Sequence, residues 1–187
     1  EIPESFGSNK LENLDLSDND FSGSVPQSIG TFSVLAELKL GQNKLSGKIP
    51  DELSSCKKLV ALDLSHNQLS GEIPLSLSEM PVLGLLDLSV NQLSGEIPRK
   101  LGTVGSLVQI NISHNHLHGS LPSTGAFLAI NSSSVEGNHL CGGDETTGLP
   151  PCKRRKNPVW WLFSTCLLAV LVAFALAAFI VAIGTRR

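Results

Sequence analysis

Three groups of residues in this chain have types and spacings that could do chemistry. His114, His116 and His118 alternate along the chain and carry imidazoles suited to a borderline-soft metal ion. Four cysteines, Cys56, Cys141, Cys152 and Cys166, offer thiols for cross-linking, redox work or metal binding. Asn111-Ile112-Ser113 and Asn131-Ser132-Ser133 are acceptor triplets for N-linked glycans. Catalytic patterns are missing: there is no Gly-rich phosphate loop, no His-Arg-Asp or Asp-Phe-Gly triplet and no nucleophile-base-acid triad, so this chain is not expected to be an enzyme. Charge narrows the partners. All seventeen acidic residues but only eight of the fourteen basic ones precede Lys153, a balance of −9, against +6 from Lys153 onward. A surface that acidic does not suit a phosphate backbone, so no nucleic acid partner is expected.

What these residues can do depends on the elements that place them, and a repeat decides those elements. Asn19, Asn43, Asn67, Asn91 and Asn115 stand 24 residues apart, as do Gly23, Gly47, Gly71, Gly95 and Gly119. Pro26, Pro50, Pro74, Pro98 and Pro122 keep the same step. So do the apolar columns beginning at Leu11, Leu14 and Leu16. The Leu-x-Leu pair alternates with period 2, which predicts a short strand with both leucines facing inward. One coil cannot bury that face alone, whereas stacked coils form a parallel sheet over a continuous apolar core. The Asn after the strand can bond backbone groups left unpaired at the bend, and repetition makes a ladder of amides. Glycine suits a bend needing positive φ, and Ile-Pro supplies an inward anchor followed by a fixed φ. A short helical turn holding Ile29, Leu53, Leu77 and Leu101 is predicted to follow.

In this frame the three histidines surround Asn115 and the core-facing Leu117 in a turn, so neither metal nor cofactor is expected there. Cys56 shares its column with Phe32, Met80 and Val104 and reads as a small buried apolar residue.

Segments such as LDLSHNQLSGEIPLSLSEM resemble the plant-type leucine-rich repeat, whose Ser-Gly-x-Ile-Pro portion separates it from animal and bacterial repeats. The stretch GSLPSTGAFLAINSSSVEGNHLCGG, followed by LPPC, is similar to the C-terminal cap of plant receptor-like kinases and receptor-like proteins. The resemblance implies an α/β solenoid, a right-handed leucine-rich-repeat superhelix with a parallel β-sheet on its concave face and short helical turns. It implies a disulfide between the cap cysteines Cys141 and Cys152. It also implies a binding surface on the concave face. The outward positions there include Glu37, Lys39, Asp63, His66, Leu85, Asp87, Val90 and His114, of which Leu85 and Val90 are exposed apolar exceptions. Related peptide-hormone receptors hold a peptide carboxylate with arginines near the end of the solenoid. The sole arginine before Arg154, Arg99, falls in the helical-turn segment, so that feature does not carry over.

The expected organisation is a partial repeat and five copies from Leu11 over 1–122, a cap over 123–152, a basic linker over 153–158 and a transmembrane helix over 159–183. A cytoplasmic start is expected over 184–187. Val159 to Ile183 carries no charge, and as a helix it would reach about 37 Å, enough for a hydrocarbon core of about 30 Å. Trp160 and Trp161 suit an interfacial belt, Cys166 lies within the segment, and Ala169, Ala173 and Ala177 form a small-residue stripe. The sequons and the cysteine pair favour the secretory pathway. Asn111 points outward from its strand, so a glycan there covers part of the concave surface, while Asn131 is the better-placed acceptor. The chain is thus expected to be a single-pass plasma-membrane protein with extracellular repeats and bilayer contact. As part of a receptor-like kinase, it would bind an extracellular peptide or protein ligand and a leucine-rich-repeat co-receptor. A receptor-like protein without a kinase and a truncated decoy are the alternatives.

Overall fold

The computed structural model describes residues 1–4, 6 and 10–153. The solenoid occupies the unit Glu1–Cys152. Each coil contributes two short strands: Asn13–Asp15 (β1) and Ser22–Ser24 (β2), Glu37–Lys39 (β3) and Lys44–Gly47 (β4), Ala61–Asp63 (β5) and Gln68–Gly71 (β6). Leu85–Asp87 (β7), Gln92–Glu96 (β8), Gln109–Asn111 (β9), His116–Ser120 (β10) and His139–Cys141 (β11) complete the series. The odd-numbered strands β1, β3, β5, β7 and β9 form one parallel sheet, and β2, β4, β6, β8, β10 and β11 form a second. The first sheet pairs in strict column register, Leu14 against Leu38, Leu62, Leu86 and Ile110 in turn. The second sheet was not expected from the sequence. Its signal is the alternation in Lys44-Leu45-Ser46-Gly47, where a single leucine points inward before the glycine turns the chain at φ 78°.

Between the sheets runs one continuous core. Leu38, Leu62 and Leu86 fill it from the first sheet, Leu45, Leu69, Leu93 and Leu117 from the second. The third wall is a row of 3₁₀ helices, Gln27–Thr31, Asp51–Ser55, Leu75–Glu79 and Arg99–Thr103, that bury Ile29, Leu53, Leu77 and Leu101. Each begins after the Pro of the repeat, in extended backbone, and that Pro's carbonyl accepts the first turn's hydrogen bond, as from Leu53 N at 3.3 Å. Proline lacks an N–H, which at this position has no helical partner to lose.

The coil register continues past Pro122. Gly125–Ala129 forms a further 3₁₀ helix, and Phe127 fills the inward place two residues later than Leu101 plus one repeat would put it. Gly125 itself sits at φ 59°, and a Cβ there would meet the Gly102 carbonyl oxygen at 2.3 Å. Ser134 and Glu136 then accept from Ile112 N and His114 N, the bonds every earlier coil makes to its successor. β11 pairs with β10, and Cys141 is disulfide-bonded to Cys152 with Cα atoms 4.9 Å apart. The terminal segment is therefore a sixth, irregular coil closed by a loop.

The expected membrane-spanning helix is corrected here. Every helix among the described residues is a 3₁₀ turn of three to five residues, and none is long and apolar enough to cross a membrane, which takes about 20 apolar residues. Residues 159–183, where the span was expected, lie outside the described residues. The architecture that stands is the leucine-rich solenoid; single-pass plasma-membrane placement and contact with a bilayer have no support in it.

Candidate functional site

Three columns of side chains cover the concave sheet. The strand residues between paired leucines are Asp15, Lys39, Asp63, Asp87 and Asn111. The three aspartates do a structural job first: Oδ1 of Asp15, Asp63 and Asp87 accepts from the backbone N–H of Ser17, Ser65 and Ser89 at 2.9–3.0 Å. Asn111 does the same for Ser113 N at 3.2 Å. The bond from the Ser17 hydroxyl, with the backbone bond beside it, holds the Asp15 carboxyl below its ordinary pKa. Each side chain thereby leaves its second polar atom facing the concave solvent.

Lys39, Ala61, Asp63, Leu85, Asp87, Gln109 and Asn111 line one shallow depression of about 220 Å³ across β3 to β9. Its floor is aliphatic, with Leu85 44% exposed, and its rim carries opposite charges. Lys39 Nζ is 3.2 Å from Glu37 Oε2, so Glu37 closes one side of the rim through that pair. The structure thus brings together Glu37, Lys39, Asp63, Leu85 and Asp87.

His66, Val90 and His114 stand apart, in the column where the chain leaves the strand. Asp18, Gln42, His66, Val90 and His114 all adopt left-handed backbone, φ 51–56°. Their N–H groups keep donating to the next coil, as Val90 N does to Ser113 O at 2.9 Å, so the ladder holds them there. Asp and His tolerate this region; a β-branched residue does so only under strain. Val90 is half-buried. His114 Nε2 lies 3.5 Å from Glu136 Oε1. Among the described residues no cluster of three or more ligating side chains is placed to hold a metal ion.

The asparagine column lies behind this face. Asn67 Nδ2 donates to the carbonyls of Leu40, Leu64 and Ser65, and its Oδ1 accepts from Leu45 N. Asn43, Asn91 and Asn115 repeat the same four contacts. Asn19 keeps only the two local carbonyls of Leu16 and Ser17. Asn138 extends the ladder into the terminal coil, a role the sequence reading missed although Asn138-His139-Leu140 repeats Asn115-His116-Leu117 one residue early. Exposed Val60, Val82 and Val108 were also missed, because they fall outside the strand columns. Cys56 is fully buried, and burial pushes its thiol pKa up, which leaves it inert. Arg99 is exposed on its 3₁₀ helix. Of the two sequon asparagines, Asn131 is exposed at the N-cap of Ser132–Ser134 and Asn111 is half-buried on β9.

A solenoid with a variable concave face and a disulfide-closed terminal coil defines a class of protein: extracellular recognition modules built from leucine-rich repeats. Comparison bears that out. Two family models, both described as leucine rich repeat, match residues 7–69 and 106–128. The ectodomain of BIR2 from Arabidopsis thaliana is 38% identical over 74% of this chain and 72% of that one, with a TM-score of 0.69. The Arabidopsis receptor kinase HAESA, solved with the peptide hormone IDA and the co-receptor SERK1, is 42% identical over 77% of this chain and 24% of that one, TM-score 0.69. The leucine-rich repeat receptor-like serine/threonine-protein kinase SKM1 of Arabidopsis thaliana is 53% identical over 68 residues, which are 34% of this chain and 7% of that protein. The chain belongs to the leucine-rich-repeat family of plant receptor-kinase ectodomains. It resembles their ligand- and co-receptor-binding modules and carries no kinase motif of its own.

Proposed function

We propose that this chain binds an extracellular peptide or small protein along its concave face and a leucine-rich-repeat co-receptor through its last coils and terminal cap. The observation that carries the reading is the depression over β3 to β9. Leu85 and Ala61 offer an aliphatic floor within reach of Lys39, Asp63 and Asp87, the mixture that orients a peptide side chain while burying its stem. HAESA was solved with a peptide hormone and a co-receptor together, and this chain aligns with about a quarter of that ectodomain. Leu85 and Val90 mark one coil, the fourth from Leu11, as the contact most specific to this protein. The closed terminal coil presents ordered backbone next to the concave end, where a second solenoid can pack.

The test is a binding screen of the chain against synthetic secreted peptides and co-receptor ectodomains, repeated with Leu85→Lys and Val90→Lys. A bound peptide should lose about tenfold or more in affinity with Leu85→Lys, from a charge set on an aliphatic floor. Affinities unchanged for every partner by both substitutions would remove the concave reading.

A further inference from the structure

We infer that Asn111 carries an N-linked glycan, and that this glycan roofs the concave depression and restricts ligands to the strands before β9. The first observation is the sequon Asn111-Ile112-Ser113, which lies within a concave strand rather than a loop. The second is how the side chain is held. In this column an Asp caps the turn with Oδ1 and turns its other oxygen to solvent. Asn111 keeps that job: its Oδ1 accepts from Ser113 N at 3.2 Å and from Ser113 Oγ at 2.9 Å. The atom standing where the Asp column has its free oxygen is Nδ2, which makes one long contact, 3.4 Å, to Asp87 Oδ2. An Asn here satisfies the turn and presents the nitrogen that a glycan uses. A single attachment leaves the second amide hydrogen for Asp87.

The consequence follows from position. Asn111 lines the same depression as Leu85 and Asp87, and its Cα is one strand from theirs in the register. A sugar on Nδ2 has β7 on one side and the terminal coil on the other, so it lies over the depression. Asn131 differs in this respect: it is exposed in the terminal coil, and a glycan there leaves the concave face open. Chemically, Nδ2 displaces a lipid-linked oligosaccharide diphosphate at its anomeric carbon. The nitrogen–carbon bond forms, the glycosyl–phosphate bond breaks, and the lipid diphosphate leaves as one amide proton is released. The step needs the secretory pathway, which the Cys141–Cys152 disulfide independently fits.

The gating half rests on the concave reading proposed above, whereas the modification does not. The chain is expressed through a glycosylating secretory pathway and treated with a peptide N-glycosidase in heavy-oxygen water, which marks each occupied Asn. Label at Asn111 is expected, and an unlabelled Asn111 beside a labelled Asn131 overturns the inference whatever the ligand proves to be. Access is read with Leu85→Cys and a bulky maleimide, scored on the peptide containing residue 85. Labelling should be several-fold slower with the glycan than after its enzymatic trimming, or than with Asn111→Asp, which restores the Asp of the column and its turn-capping oxygen. Equal rates in all three would show that the glycan does not roof the depression.

Discussion

The first and fifth coils use the same residue at the same position, yet their asparagines do unequal work. Asn19 bonds only its own strand's carbonyls, and its coil leaves Phe6, Leu11, Leu14, Leu16 and Phe21 half-buried. Asn115 reaches back to the Leu88 carbonyl of the coil before it and accepts from Leu93 N of that coil's second strand. Stitching in this solenoid therefore has a direction: each Asn satisfies groups on the preceding coil. The fifth coil is stitched in turn by Asn138, whose amide reaches Ile112 O and whose Oδ1 accepts from Leu117 N. An irregular segment can end the solenoid because it keeps this one residue in place and lets the rest of the repeat lapse.

The sharpest way to break the comparison is to remove the amide at both kinds of position. Asn91→Ala strands three carbonyls and the Leu69 N–H in a buried place and should cost about 3 kcal/mol or more, read by chemical denaturation. Asn19→Ala loses two exposed bonds and should cost less than about 1 kcal/mol. Equal losses would mean that the ladder's reach to the preceding coil contributes nothing. A smaller effect is expected at the terminal coil. Cys152→Ser opens a loop of sequence separation 11 and should remove about 2–3 kcal/mol. Hydrogen exchange should then quicken in β10 and β11 and stay unchanged in β1 to β5, as nearest-neighbour coupling requires. Uniform acceleration through all the strands would contradict that picture. The smallest change is a gain. Val90→Asn relieves a β-branched residue held at φ 54° and should raise stability by about 1 kcal/mol in a thermal melt. If the same substitution also weakens a bound peptide, the strain at Val90 is retained for recognition.

Much of this was legible in the sequence because a repeat states each rule five times. The columns of Leu, Asn, Gly and Pro identified the parallel sheet, the turn and the glycine at positive φ before any coordinate was known. Reading stopped where the repeat stopped. Gly125, standing where a leucine was due, suggested that the register ended. The structure instead moves the inward place to Phe127 and closes the coil one residue short at Asn138. Compensating shifts of one or two residues are invisible to a fixed period. The apolar run over 159–183 taught a different lesson: absence of charge over 25 residues expresses a capacity to span a bilayer, and the described fold contains no such helix.

By itself, the sequence determined the inward-facing set, since hydrophobic periodicity allows only one stacking that buries every leucine column. It also determined which residues point outward, because strand side chains alternate with period 2. Only the tertiary structure decided which outward residues act together. Lys39, Asp63, Leu85 and Asn111 belong to four coils and share a depression solely because parallel strands bring positions 24 residues apart into adjacent register. The same stacking decided that the residue before each Asn must turn left-handed, since its N–H has to reach the next coil's carbonyl. No local preference of Val90 would have chosen that conformation; the ladder on both sides imposes it.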